Sequence, residues 1–131
     1  MGLVRMLARM CLSGIFIVGG YAAFSEPGQR PKRLQNVGLP ESEELVKLNG
    51  ATMIGAGITL GLGIFPRLSA LALIGNLIPT TLAGHPFWVE TDPKAREAQT
   101  IQFCKNLGLI GGLLLVAFEP KKKKEKFGET D

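Results

Sequence analysis

Residues 45–84 read LVKLNGATMIGAGITLGLGIFPRLSALALIGNLIPTTLAG, and this stretch decides the fold. It holds two apolar runs, Leu45–Phe65 and Leu68–Gly84, joined by little more than Pro66-Arg67. A bilayer core about 30 Å thick needs roughly 20 helical residues, with about 17 as a practical minimum. Both runs reach that length, and the link between them is too short to cross the bilayer again. The stretch therefore predicts a tight antiparallel hairpin of two membrane-spanning helices.

Two further apolar runs flank this hairpin, Val4–Phe24 before it and Thr100–Phe118 after it. We predict an all-α integral membrane protein, a four-transmembrane-helix antiparallel bundle over residues 1–120 with a basic cytoplasmic tail over 121–131. A cleaved signal peptide is the alternative for the first run, because basic residues begin it. The run is long and its end is a weak cleavage site, so we expect a retained helix.

Most charged residues lie in the segments between and after these runs. The chain has 15 basic and 11 acidic residues, and most of them cluster in Glu26–Lys47, Glu90–Glu97 and Glu119–Asp131. A charge at mid-membrane costs on the order of 3 kcal/mol on insertion scales, so this segregation fits a bilayer. No stacking aromatics accompany the basic tail, so we expect no nucleic-acid partner. Its run of Lys121, Lys122, Lys123 and Lys124 is expected to face lipid headgroups or a protein partner.

The distribution of basic residues predicts the orientation of the bundle. An even number of spans places both termini on one side of the membrane. With both termini in the cytoplasm, eight basic residues lie inside and six outside, which agrees with the positive-inside rule. The inside set is Arg5, Arg9, Arg67, Lys121–Lys124 and Lys126, and the outside set is Arg30, Lys32, Arg33, Lys47, Lys94 and Arg96.

Candidate chemistry lies where the third run ends and the fourth begins. His85 and Trp88 follow the third run, and Lys105-Asn106 lies within the first turns of the fourth. Because neighbouring spans are antiparallel, the end of one and the start of the next share a level. We predict that His85, Trp88, Lys105 and Asn106 form an outward-facing polar vestibule.

Each of these residues also has a structural alternative. Lys105 lies about 8 Å from the predicted start of the fourth helix, so it can snorkel to the interface or pair with a loop carboxylate. Contact with a substrate or quinone is the functional interpretation of such an intramembrane charge. Trp88 is typical of an aromatic anchor at the interface, and His85 of a solvated loop.

Polar and small residues inside the other spans predict packing. The amides of Asn49 and Asn76 are expected to form hydrogen bonds between helices. Gly57 and Gly61 are expected to let helices of one bundle pack closely; contact between two copies in a homo-oligomer is the alternative. A single histidine excludes a multi-histidine metal or haem site from this chain alone. With no Cys-x-x-Cys pair or phosphate-binding glycine loop either, we predict no metal, no cofactor and no catalytic residue.

Four blocks of sequence resemble the DoxX family of small four-helix bacterial membrane proteins, in its actinobacterial form. They are Leu48–Ala51, Pro66–Ala70, Pro79–Trp88 and Phe103–Gly108. The chain departs from many relatives in lacking a lysine near the end of the first helix and a glutamate early in the second.

The resemblance implies a location in the bacterial plasma membrane and a role in redox physiology. It implies an accessory or scaffold subunit for redox enzymes, in oxidative-stress defence or respiratory electron transfer, rather than an enzyme. Two alternatives stay open: a small transporter or quinone-site subunit that uses the vestibule, and a structural subunit of a respiratory complex.

Overall fold

A computed structural model describes residues 2–120, so the predicted tail at 121–131 lies outside the described residues. Its α-helices, in chain order, are α1 (Gly2–Ser25), α2 (Arg30–Arg33), α3 (Glu43–Leu62), α4 (Pro66–Gly84) and α5 (Pro93–Ala117). All of them except the four-residue α2 are long and apolar enough to cross a membrane. Within the described residues there is no strand. The predicted all-α membrane fold with four spanning helices is therefore confirmed.

Side-chain caps fix where two of the spanning helices begin. The Ser42 hydroxyl accepts a hydrogen bond from the backbone N–H of Leu45 at 3.2 Å, and the Asp92 carboxylate accepts one from Ala95 at 3.0 Å. Such caps satisfy N–H groups that have no partner within the helix. Because of its cap, α5 begins at Pro93, well before the apolar run. Hydropathy marks only the part of a helix that lies in lipid, and α5 continues beyond it.

The spanning helices pack in chain order around a ring. Contacts are extensive between α1 and α3, between α3 and α4, and between α4 and α5, and a lighter contact between α1 and α5 closes the ring. The start of α1, the α3–α4 turn and the end of α5 thus share one end of the bundle, here called the terminal end. The segments 26–42 and 85–92 lie at the opposite end, here called the loop end.

The closest helix contact joins α1 and α3 through glycine. A Cβ atom placed on Gly20 would lie 2.6 Å from the carbonyl oxygen of Gly50, and a Cβ on Gly50 would lie 2.6 Å from that of Gly20. The predicted pair Gly57 and Gly61 also faces α1. Close approach of backbones is a main source of helix association in lipid. These glycines therefore pack within the bundle.

The hydrophobic core lies toward the terminal end. Its buried residues come from all the spanning helices, and several, such as Leu60, Leu73 and Leu113, have no exposed surface. The full cluster is Phe16, Leu60, Ala70, Leu73, Leu77, Leu113 and Ala117. The loop end is built differently, because a cavity separates the helices there.

Candidate ligand cavity at the loop end

A cavity of about 680 Å³ lies between α1, α3 and α4, beneath the segment that connects α1 to α3. Cavities that hold small ligands are commonly about 300–1,000 Å³ and mostly apolar, with a few polar groups that fix orientation. This cavity has that character, with Leu34, Leu45 and Met53 among its apolar lining residues. Its polar lining residues are Gln29, Arg30, Arg33, Asn49, Thr52, Asn76, Thr80 and His85.

The connecting segment is held over the cavity by hydrogen bonds to the end of α4. Arg33 Nη1 donates to the carbonyl oxygen of Gly84, and Asn36 Nδ2 donates to that of Ala83, each at 2.8 Å. Carbonyl groups in the last turn of a helix have no partner within the helix, so they are available to such donors. The segment is thereby fixed as a roof, and it brings the positive charge of Arg33 to the cavity.

Asn76 lies deepest among the polar lining residues of α4. It stands eight residues before the end of α4 at Gly84, which is about 12 Å along the helix. Its Nδ2 atom is buried and has no hydrogen-bond partner among residues 2–120. A buried donor without a partner costs about 1–3 kcal/mol. Asn76 therefore places an unpaired amide donor in the wall of the cavity.

Asn49 forms a hydrogen bond between α3 and α4. Its Nδ2 atom donates to Thr80 Oγ1 at 3.3 Å, and the Thr80 hydroxyl in turn donates to the carbonyl oxygen of Asn76 at 2.7 Å. This bond joins α3 to α4 in the turn that contains Pro79. Asn49 thus both lines the cavity and fixes one of its walls.

Asn106 forms a matching bond on the other side of α4. Its Nδ2 atom donates to Thr81 Oγ1 at 3.0 Å, and the Thr81 hydroxyl donates to the carbonyl oxygen of Leu77 at 2.6 Å. The neighbouring threonines of α4 therefore accept hydrogen bonds from two asparagines, Thr80 from Asn49 of α3 and Thr81 from Asn106 of α5. We call Asn49, Thr80, Thr81 and Asn106 the asparagine–threonine clasp.

His85 and Trp88, the two loop residues of the predicted vestibule, have different surroundings. His85 lines the cavity, and its Nδ1 atom is 2.7 Å from Gln99 Oε1 in a hydrogen bond. Trp88 is half exposed and packs edge-on against Phe87 and Phe103, with ring centroids 5.2 and 6.0 Å apart. This geometry suits an aromatic anchor at the membrane interface.

Lys105 lies on the outer surface of α5. It is exposed and forms no hydrogen bond or ion pair with any other residue between 2 and 120. Of the predicted vestibule residues, His85 lines the cavity, Asn106 belongs to the clasp, and Trp88 packs in the aromatic cluster. Among residues 2–120, no hydrogen bond or ring contact joins these four side chains to one another, and the vestibule stays a prediction.

Sequence reasoning missed the two arginines of the cavity. In the sequence, Arg30 and Arg33 are charges of a loop, and nothing in their pattern shows that the loop folds back onto α4. Pro79 was the available signal for the cavity wall, since proline interrupts helical hydrogen bonding and polar groups gather at such points.

Comparison with known proteins assigns the family. The family model described as DoxX matches residues 4–86, which is more than half of the chain. The chain therefore belongs to the DoxX family. The match ends before the block Phe103–Gly108, so that part of the resemblance lies outside it. Comparison with curated proteins found no match, and neither did comparison with solved structures.

Proposed function

We propose that this member of the DoxX family binds a quinone-type small molecule in the loop-end cavity and serves membrane redox enzymes as an accessory subunit. The observation that carries the proposal is the buried, unpartnered amide nitrogen of Asn76, a residue that lines this mostly apolar cavity. A quinone carbonyl oxygen accepts a hydrogen bond from such a donor, and its ring is apolar enough to occupy the rest of the space.

The charge of the lining supports an acceptor-bearing ligand. Arg30 and Arg33 line the cavity, whereas no aspartate or glutamate is among its lining residues in the described part of the chain. A cationic ligand would meet like charge without a carboxylate to pair with. A neutral or anionic molecule with exposed oxygen atoms would meet donors instead, and quinones belong to that class.

The solid terminal half of the bundle favours binding over transport. Leu60, Leu73 and Leu113 are fully buried between the cavity and the terminal end. A transporter needs a route to both sides of the membrane, and among residues 2–120 these buried leucines separate the loop-end cavity from the terminal end. The transporter alternative therefore has less support than a one-sided binding site.

The orientation and setting of the protein are part of the same proposal. We place both termini in the cytoplasm of a bacterium and the cavity on the outer side of its plasma membrane. The lysine run Lys121–Lys124 would then meet the anionic inner leaflet or a partner protein. The partner would be a redox enzyme, and a purely structural place in a respiratory complex is the alternative.

Ligand binding is tested by thermal unfolding of the detergent-purified protein with a short-chain ubiquinone or menaquinone analogue. A ligand that binds only the folded state raises Tm in a saturable manner. We expect that rise for the unaltered protein, its loss in Asn76→Leu, and its retention in Gln102→Leu, an exposed amide of α5 outside the cavity. No saturable rise, or equal loss in both variants, would refute quinone binding.

The accessory role needs a separate measurement. Affinity purification from native membranes in mild detergent, followed by mass spectrometry, should recover a stoichiometric redox enzyme. If quinone binding is present but no redox partner is recovered, the cavity assignment stands and the accessory role fails.

A further inference from the structure

A second, smaller cavity lies at the terminal end, away from the proposed quinone site. Its volume is about 230 Å³, and its charged lining residues are Arg5, Arg9, Arg67 and Glu119. Arg5 and Arg9 are one turn apart on α1, so they lie on the same face of that helix. Arg67 comes from the first turn of α4. The fold thus gathers three guanidinium groups from two helices around one small space.

The single carboxylate among these residues is already occupied. Glu119 forms an ion pair with Arg5, and its backbone carbonyl accepts a hydrogen bond from Arg67. The Arg9 guanidinium differs, since its buried Nε atom makes no hydrogen bond within residues 2–120. Among residues 2–120, the site therefore holds an excess of positive charge and one buried donor without a partner.

The turn between α3 and α4 makes room for the Arg9 side chain. Gly63 ends α3 with a φ of 74°, and a Cβ atom at that position would lie 3.0 Å from Arg9 Nη2. Glycine at this position therefore satisfies the left-handed backbone and also lets the guanidinium lie against the turn. The Arg9 side chain thus lies beside this turn and lines the cavity.

We infer that this arginine cavity is a binding site for a phosphate group. Guanidinium groups form paired, charge-assisted hydrogen bonds to phosphate oxygen atoms, and several converging arginines are the usual form of such a site. The cavity lies at the ends of spanning helices, the level at which phospholipid headgroups lie, and basic pockets between spanning helices bind anionic headgroups. The phosphate can belong to an anionic lipid or to a soluble anion, and the two sources are separable by experiment.

The probes are phosphatidylglycerol, phosphatidylcholine and inorganic phosphate, each added to the purified protein in neutral detergent. Tm and lipid adducts in native mass spectrometry report binding. We expect phosphatidylglycerol to bind the unaltered protein saturably. Its affinity for Arg9→Gln should be lower by about tenfold or more, because a charge-assisted hydrogen bond is lost. Arg67→Gln supplies the same test if Arg9→Gln does not fold. Arg96→Gln is the matched control, since it removes one exposed arginine at the other end of the molecule.

The outcomes separate the two sources and decide the inference. Binding of phosphatidylglycerol without an effect of inorganic phosphate identifies a lipid headgroup site. A rise in Tm with inorganic phosphate that also displaces the lipid identifies a site for soluble phosphate. Absence of saturable binding by either anion, equal binding of phosphatidylcholine, or equal weakening in Arg96→Gln would overturn the inference.

Discussion

At the scale of single residues, the asparagine–threonine clasp explains why polar side chains lie inside apolar helices. Each asparagine amide would be costly in lipid without an acceptor, and each threonine hydroxyl can accept while it donates within its own helix. Thr80 and Thr81 follow Pro79 directly, so the clasp holds α4 from both sides at the point where its backbone hydrogen bonding is interrupted.

Replacement of Thr81 by valine should therefore weaken the contact between α4 and α5. The change leaves the Asn106 amide without its acceptor, and we expect a loss of about 1 kcal/mol in unfolding free energy, the usual scale for such bonds in membranes. Thr100→Val is the control, because the Thr100 hydroxyl bonds only within α5, to Arg96. Unfolding in mixed detergent measures both. A double-mutant cycle with Asn106→Ala should show coupling, and additive losses would contradict the bond.

At the scale of elements, the contact between α1 and α3 is the least tolerant of change. The two helices cross with backbone against backbone at Gly20 and Gly50, so there is no flexible side chain to move aside. Elsewhere on α3, Gly55 has no neighbour within 4 Å of a built Cβ. The same residue type thus has opposite requirements at two positions one and a half turns apart.

A pair of alanine substitutions on α3 should separate these requirements. Gly50→Ala should destabilise the bundle by about 1–3 kcal/mol, because the added methyl group overlaps the α1 backbone. Gly55→Ala should leave stability unchanged or raise it by up to about 1 kcal/mol, since alanine favours the helix. Thermal unfolding in detergent measures the difference. Equal Tm values for the two variants would show that the helices can move apart at no cost.

At the scale of the whole molecule, the two ends have different physical characters. The terminal end holds the apolar core and the arginine cavity, whereas the loop end holds the larger cavity and its roof. Every spanning helix runs antiparallel to the next, so the helix ends and their connections are divided between these two ends of the bundle. The proposed orientation fixes which end meets the cytoplasm.

Cysteine labelling tests that orientation directly. The starting variant replaces the two native cysteines, Cys11 and Cys104, by alanine. Glu41→Cys at the loop end should then react with a membrane-impermeant maleimide in intact spheroplasts, because it faces outward. Gly2→Cys at the terminal end should react only after lysis. The reverse pattern would place both termini outside and invert the proposed sites.

The sequence predicts the spans better than it predicts the site, for a physical reason. Hydropathy shows which residues lie in lipid, so the four runs could be found. The hairpin link, predicted at Pro66-Arg67, lies at Gly63 to Phe65, because Pro66 begins α4. Each of these helices carries apolar residues on nearly all of its sides. The hydropathy pattern therefore does not show how a helix is rotated about its axis. The exposure of Lys105 and the inward turn of Asn106 depend on that rotation. The cavity roof depends on contacts such as Arg33 with Gly84, which are 51 residues apart.

The turn between α3 and α4 has a consequence for how the protein enters the membrane. Its three residues, Gly63 to Phe65, reverse the chain with left-handed backbone at both ends, at φ values of 74° and 44°. Even fully extended, they would span only about 10 Å, a third of the hydrocarbon thickness. During synthesis α3 and α4 must therefore take opposite directions as a single insertion unit. An error in the direction of one helix is therefore also an error in the direction of the other.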